Sequence, residues 1–227
     1  TDISYALSFV LISLFTFIQS ENKPVNWIVL VLILLWAFRL GSYLYKRITF
    51  MGRDKRFDGM RDNFIHFGGF WLLQAITVWL VLFPAVLLFD ASVSDSPTIT
   101  TYVGAGIALF GIVFEAIADR QKFRFIADER NKGKWIQSGL WKYSRHPNYF
   151  GEIMVWIGIY IICAQWLTQS DAYLAIIGPV TIIGMLLFVS GVPLLEKSAD
   201  KKWGNNKDYA KYRNRTSILI PMLPKKG

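Results

Sequence analysis

Six long apolar runs, separated by short polar segments, dominate the sequence. They cover residues 3–19, 25–45, 65–89, 100–119, 148–167 and 172–193. About 20 apolar residues, rising 1.5 Å each in a helix, cross the hydrocarbon core of a bilayer. Lipid offers no hydrogen-bond partner to a bare backbone, so each run is predicted to be helical. The predicted fold is an all-α polytopic transmembrane helix bundle of about six helices, with seven as the alternative, forming one integral membrane domain over 1–227.

The basic residues predict how this bundle is oriented. Of the 25 lysines and arginines, segment 46–63 carries six, segment 120–147 eight and the tail 196–227 nine. The loops 90–98 and 168–171 carry none. Alternation of basic and bare loops is the positive-inside pattern, so both termini and both large loops are predicted to be cytoplasmic. The net charge of +9 is explained by loops facing an anionic leaflet better than by nucleic acid, and no nucleic-acid partner is expected.

The composition excludes several kinds of site. The chain is 53% hydrophobic, above the roughly 45–50% of soluble domains. Cys163 is its single cysteine, which excludes disulfides, iron–sulfur clusters and thiolate zinc sites within the chain. With only His66 and His146 present, a histidine-rich haem or di-metal site is disfavoured, and no metal site is predicted.

The end of the fourth run carries acidic side chains where a plain membrane anchor needs none. Glu115 and Asp119 lie four residues apart on one helical face, and Arg120 and Arg124 form a neighbouring stripe. Acidic groups near bilayer depth are costly and indicate function. The alternative is an interfacial ladder of ion pairs, which is about as well supported for Glu115 but less so for Asp119.

The segment 139–152 leads into the fifth run. Pro147 suits the first turn of a helix, because its missing N–H is no loss there. The exposed amides of that helix start would then lie among Arg145, His146, Asn148 and Tyr149, a natural seat for a phosphate or carboxylate. Taken alone, the segment favours a capped helix start with a snorkelling arginine.

The tail presents aromatic and basic residues together. Tyr209 and Tyr212 share a helical face, with Arg213 and Arg215 beside them. Such a surface can stack on an adenine and hold phosphates. Its periodicity alone favours an amphipathic helix resting on the leaflet. The segment 52–63, by contrast, is typical of a solvated basic loop.

These segments resemble one known family. The stretches 114–125, 139–152 and 196–221 are similar to the C-terminal half of the steroid 5-alpha-reductase superfamily, and most of all to its bacterial members of unassigned substrate. Arg145-His146-x-Asn148-Tyr149-x-Gly151-Glu152 also resembles the signature of the sterol C14 and C7 reductases. The likeness covers roughly residues 30–221.

The resemblance implies a membrane reductase that takes hydride from NADPH in a cytoplasm-facing pocket formed by 115–152 and 196–221. It would reduce an activated carbon–carbon double bond in a sterol-like or other lipid, in a bacterial inner membrane. Carried over by motif position, the cofactor-binding residues would be Asp119, Arg124, Arg145, His146, Asn148, Tyr149, Glu152, Glu196, Tyr209, Tyr212 and Arg215.

The substrate side departs from the family. Trp36 occupies the position that aligns with a tyrosine of the steroid reductases. The catalytic proton donor is therefore not identified, and Tyr43 or Tyr5 is only a guess for it. The substrate pocket is predicted to include Trp36, Arg39, Tyr43 and Glu115. Apart from the lipid-like substrate and membrane lipids, no partner is implied.

Two other functions stay open. An isoprenylcysteine carboxyl methyltransferase, which would bind S-adenosylmethionine, shares the Arg-His-Pro stretch and the tail pattern. That class has paired glutamates where this chain has Glu196-Lys197, and it lacks an acid at the position of Glu152. A non-enzymatic lipid-binding membrane protein is the third interpretation, although it needs no polar cluster at three separate helix ends.

Overall fold

The computed structural model describes residues 2–51 and 64–225, and within these ranges it contains helices and no strand. The predicted basic loop 52–63 lies outside the described residues. The α-helices are α1 (Asp2–Ile18), α2 (Pro24–Met51), α3 (Phe64–Asp90), α4 (Ile99–Ala127), α5 (Pro147–Ala164), α6 (Gln169–Ala175), α7 (Ile177–Gly184), α8 (Val192–Trp203) and α9 (Lys207–Arg215).

Within residues 2–51 and 64–225, five helical stretches are long and apolar enough to cross a membrane. They are Pro24–Phe50, Ile65–Asp90, Ile99–Ala127, Pro147–Ala164 and Gln169–Trp203, and the shorter apolar helix Ile3–Ile18 precedes them. The predicted polytopic all-α fold is therefore confirmed, and the chain is an integral membrane protein. Its sidedness stays a prediction.

Two helices extend further than their apolar runs. The second run was expected to end at residue 45 and the fourth at residue 119, but α2 continues to Met51 and α4 to Ala127. The added turns contain Lys46 and Arg47 in α2, and Arg120, Lys122 and Arg124 in α4. The end of an apolar run indicates where the helix leaves the lipid. The helix itself can continue into the aqueous phase, because its backbone hydrogen bonds do not require apolar side chains.

The sixth predicted span, 172–193, lies within the stretch Gln169–Trp203, but the helix there is irregular. Pro179 lacks an N–H, and a proline ring conflicts with the carbonyl four residues earlier, which here belongs to Ala175. That is the residue at which α6 ends, before α7 begins at Ile177. A π-helical turn, Met185–Val189, then precedes the start of α8.

The chain divides into two compact units. The first comprises residues 1–108 and 156–181, and the second residues 109–155 and 182–227. In the first unit α1 packs on α2 and α3, and Phe17 makes edge-to-face contacts with Trp27 and Phe89. The second unit contains both segments from which the cofactor pocket was predicted, 115–152 and 196–221, although the pocket itself stays a prediction.

Small residues let α4 and α5 approach closely. In the first unit, a Cβ added at Gly158 would lie 2.5 Å from the backbone nitrogen of Ala108 and from the carbonyl oxygen of Gly104. In the second unit, a Cβ added at Gly111 would lie 2.6 Å from the carbonyl oxygen of Gly151. Helices in lipid associate largely through such van der Waals contact between small residues.

Gly158→Ala is expected to destabilise the protein by about 1–3 kcal/mol, because the new methyl group meets backbone atoms that cannot turn aside. Thermal unfolding in a fixed detergent measures the effect. Gly106→Ala is the matched control, since a Cβ at Gly106 meets nothing within 4 Å and the gain in helix propensity is the same. Equal midpoints for the two variants would contradict this account of the packing.

Candidate functional site

The start of α5 in the second unit is held by a loop that docks on α4. Gly139 adopts a left-handed φ of +61°, and a Cβ there would lie 2.5 Å from Oε1 of Gln121. The same oxygen accepts a hydrogen bond from the N–H of Leu140, at 2.9 Å. Glycine is favoured at residue 139 because its φ angle is left-handed, and a side chain there would also have to displace the Gln121 amide.

Trp141 joins this loop to α4 and α9. Its side chain is buried, and its indole N–H donates to the carbonyl of Ala118 at 3.0 Å. Its own carbonyl accepts from the hydroxyl of Tyr212 at 2.9 Å. The ammonium group of Lys122 lies 4.7 Å from the centre of the indole ring. Burial raises the pKa of Tyr212, so this hydroxyl remains protonated and can keep donating.

The segment after α9 holds the other side of the loop. The N–H of Arg145 donates to the carbonyl of Ser217 at 2.8 Å, and that of Met222 donates to the carbonyl of Tyr143 at 3.0 Å. Between them, the hydroxyl of Ser144 donates to the carbonyl of Leu219 at 2.7 Å. The residues just before α5 are therefore fixed from two directions, although sequence reasoning had given no role to Ser144 or Ser217.

One carboxylate lies at the centre of the charged cluster. Glu196, on α8, accepts a short hydrogen bond from Arg145 through one oxygen. Its other oxygen lies 2.8 Å from Nε2 of His146. Nε of Arg213 lies 3.9 Å from the same carboxylate, and a second nitrogen of this guanidinium lies 2.7 Å from Asp200. The structure thus brings together three of the predicted cofactor residues and adds Arg213.

His146 is buried beside this carboxylate and stacks on Tyr149. The two rings are nearly parallel, with an interplanar angle of 9° and centroids 5.5 Å apart. Burial lowers the pKa of His146 and outweighs the opposite effect of Glu196. The imidazole is therefore neutral at pH 7, with Nε2–H donating to Glu196 and Nδ1 carrying a lone pair.

Three polar atoms next to the start of α5 are buried without a hydrogen-bond partner among residues 2–51 and 64–225. They are Nε of Arg145, Nδ1 of His146 and Oδ1 of Asn148. An unsatisfied buried polar group costs about 1–3 kcal/mol, so each such group calls for an explanation. One donor and two acceptors within four residues of one another could all bond to a polar ligand.

Three acidic residues on α4 and α5 are also buried in this region. Glu115 and Asp119, on one face of α4, are 2% and 4% exposed, and Glu152, one turn into α5, is 9% exposed. The backbone at Gly151 approaches Glu115 so closely that a Cβ would lie 2.8 Å from the Cβ of Glu115. The predicted shared face of Glu115 and Asp119 is confirmed, and these carboxyl groups lie inside the protein.

The remaining predicted cofactor residues have other surroundings. Arg124 is exposed on the last turn of α4, and Nε of Arg215 donates to the carbonyl of Lys225 at 2.9 Å. Tyr209 is buried against the rings of Trp135 and Trp203. Their role in binding a cofactor stays a prediction.

The predicted substrate residues are divided between the units. Glu115 belongs to the second, whereas Trp36, Arg39 and Tyr43 lie on α2 in the first. Trp36 is fully buried, with its ring centroid 4.8 Å from that of Phe9 and 5.0 Å from that of Trp156. We call Phe9, Trp36 and Trp156 the aromatic box. The sequence had identified only Trp36 as part of this group.

Acid should weaken the fold through His146. Its pKa is lower in the folded than in the unfolded chain, so the unfolded chain takes up the proton more readily and stability falls as pH drops through about 6.5. Between about pH 7.5 and about pH 5.5, the unfolding midpoint of wild type should fall by a few degrees more than that of His146→Gln. Parallel pH dependences in the two proteins would show that His146 does not titrate in this way.

A comparison with protein families gives a match over most of the chain. A family model described as "Protein of unknown function (DUF1295)" matches residues 1–216. No curated protein and no solved structure matches the chain. Because the family model spans nearly all of the 227 residues, the chain belongs to the DUF1295 family of proteins of unknown function.

Proposed function

We propose that the protein is a membrane-embedded reductase that uses NADPH to reduce an activated carbon–carbon double bond in a sterol-like or other lipid. The observation that carries this proposal is the set of buried polar atoms without described partners on Arg145, His146 and Asn148. The reaction class comes from the resemblance of the same motif to the steroid 5-alpha-reductase superfamily, of which DUF1295 proteins would be relatives.

The residues at the start of α5 suit a dinucleotide. Its phosphates need cationic donors, and Arg145 has one guanidinium nitrogen committed to Glu196 and its Nε without a described partner. The carboxamide and the ribose hydroxyls of the dinucleotide are hydrogen-bond donors. Nδ1 of His146 and Oδ1 of Asn148 can accept these hydrogen bonds. The backbone N–H groups of the first turn of α5, after Pro147, add a partial positive charge.

Glu196 and the segment 217–222 would keep these groups in place before the cofactor arrives. The cofactor supplies a hydride when bound, and the protein supplies binding and orientation. Fixing Arg145 through both its side chain and its N–H reduces the conformational entropy lost on binding. A reduced double bond also requires a proton, and the buried carboxyl groups on α4 and α5 are candidate carriers of that proton.

The aromatic box supports a neutral, apolar substrate. The indole N–H groups of Trp36 and Trp156 are buried and have no hydrogen-bond partner in the described part of the chain. Two such donors among aromatic rings fit a ketone or hydroxyl oxygen on a lipid, because a neutral acceptor is cheaper to desolvate than a charged one. Polarising a carbonyl in this way would also activate an adjacent double bond.

The proposed location is the inner membrane of a bacterium, with the second unit's polar face in the cytoplasm, where NADPH is available. The basic residues of segments 120–147 and 196–227 support this orientation.

Asn148→Ala should weaken NADPH binding roughly ten- to hundredfold, the loss expected for one buried hydrogen bond. Calorimetry on the detergent-purified protein measures the affinity, with NADH and S-adenosylmethionine titrated in parallel. Asn205→Ala, which removes the same amide from an exposed turn, should bind NADPH like wild type. Binding of S-adenosylmethionine alone would identify a methyltransferase, and binding of neither ligand would favour a non-enzymatic lipid-binding protein.

Trp36→Phe should lower kcat/KM for an enone lipid roughly ten- to hundredfold, because the variant keeps an aromatic ring but loses its N–H donor. The assay follows NADPH oxidation with the best enone found in a screen against wild type. Trp79→Phe is the control, since Trp79 is 59% exposed on α3. An unchanged kcat/KM in Trp36→Phe would remove the aromatic box from the substrate site.

A further inference from the structure

An apolar groove runs along the outside of the first unit, between α1 and α2. Its volume is about 650 Å³, within the range of roughly 300–1,000 Å³ typical of ligand pockets. The lining side chains follow one face of each helix, at i, i+3, i+4 and i+7 spacing. They are Ile3, Ala6, Leu7 and Val10 from α1, and Leu34, Ala37, Phe38, Gly41, Ser42, Tyr45 and Lys46 from α2.

All of the polar groups in this groove are at one end. Ser42, Tyr45 and Lys46 occupy the last turns of its α2 wall, and every other lining residue is apolar or glycine. The Lys46 ammonium and the Tyr45 hydroxyl are exposed, and neither contacts an acid or acceptor among the described side chains. The groove therefore presents a cation and hydroxyl donors above a hydrocarbon surface.

The dimensions match one leaflet. From Leu34 to Lys46 the helix rises about 18 Å, at 1.5 Å per residue. Half of the hydrocarbon core is about 15 Å thick. Lys46 opens the basic segment 46–63, which is predicted to be cytoplasmic, and the cytoplasmic leaflet is the one enriched in anionic lipids.

We propose that this groove is a binding site for one anionic phospholipid of the cytoplasmic leaflet. The acyl chain lies along Leu7, Val10, Leu34 and Phe38, and the headgroup phosphate accepts hydrogen bonds from Lys46, Tyr45 and Ser42. A zwitterionic lipid carries its own ammonium group, which offsets the attraction to Lys46, so the site selects by net headgroup charge. None of the three residues of the aromatic box lines this groove, and the proposal does not depend on the proposed reductase activity.

The test counts lipids bound to the detergent-purified full chain by native mass spectrometry. Dioleoyl phosphatidylglycerol is compared with dioleoyl phosphatidylcholine, which has the same acyl chains. Wild type should retain one phosphatidylglycerol per chain, and Lys46→Gln should bind it about fivefold more weakly while binding of phosphatidylcholine stays unchanged. Lys197→Gln, an exposed lysine on α8, is the charge-matched control and should behave like wild type.

A second variant tests the groove itself. Leu7→Trp places a bulky indole ring in the groove, at a position that is 52% exposed. Because the ring fills space that the acyl chain would occupy, the variant should bind both lipids at least fivefold more weakly. The unfolding midpoint of each variant shows that it is folded. Because Lys46 is exposed, the Lys46→Gln result stands even if Leu7→Trp fails to fold.

Three results would overturn the proposal. Equal loss of phosphatidylglycerol in Lys46→Gln and Lys197→Gln would indicate general attraction between charges. Displacement of the lipid by inorganic phosphate alone would indicate a simple anion site without an acyl chain. A wild-type dimer that becomes monomeric in Leu7→Trp would show that the occupant of the groove is a second copy of the chain.

Discussion

The absence of water from the hydrocarbon core determines where everything else in this protein lies. Backbone groups in lipid must bond to one another, so the chain crosses as helices, and most charged groups lie at helix ends and in loops. The start of α5 is such an end, and its polar side chains need partners that lipid cannot supply. Glu196 from α8 provides the main one, by accepting from both Arg145 and His146.

Much of the fold follows from sequence for the same reason. A run of apolar residues identifies a span almost regardless of what packs against it, and Pro147 marks the beginning of α5 through its own chemistry. Pro179 also signals the break between α6 and α7 through its own chemistry, although the hydropathy of the apolar run around it does not. The extra turns of α2 and α4 could not be predicted, because a helix in water depends on contacts that hydropathy does not describe.

The site was only partly predictable. Arg145, His146 and Glu196 were found through their motif, and they do form one cluster. The hydrogen bonds that position them involve backbone groups, such as the carbonyls of Ser217 and Leu219, whose availability no side-chain pattern reveals. The aromatic box could not be predicted either, because Phe9 and Trp156 are far from Trp36 in sequence and are not distinguished from other apolar residues by their sequence context.

The bonds from segment 217–222 to the loop before α5 have a consequence for biosynthesis. The carbonyl of Tyr143 and the N–H of Arg145 gain their partners only from residues near the C-terminal end of the sequence. Residues 217–222 follow α1 to α7 in the sequence, so they are synthesised after all of those helices. The loop before α5 can therefore make these backbone hydrogen bonds only after the seven helices have been synthesised, and until then water is the partner available to its backbone groups.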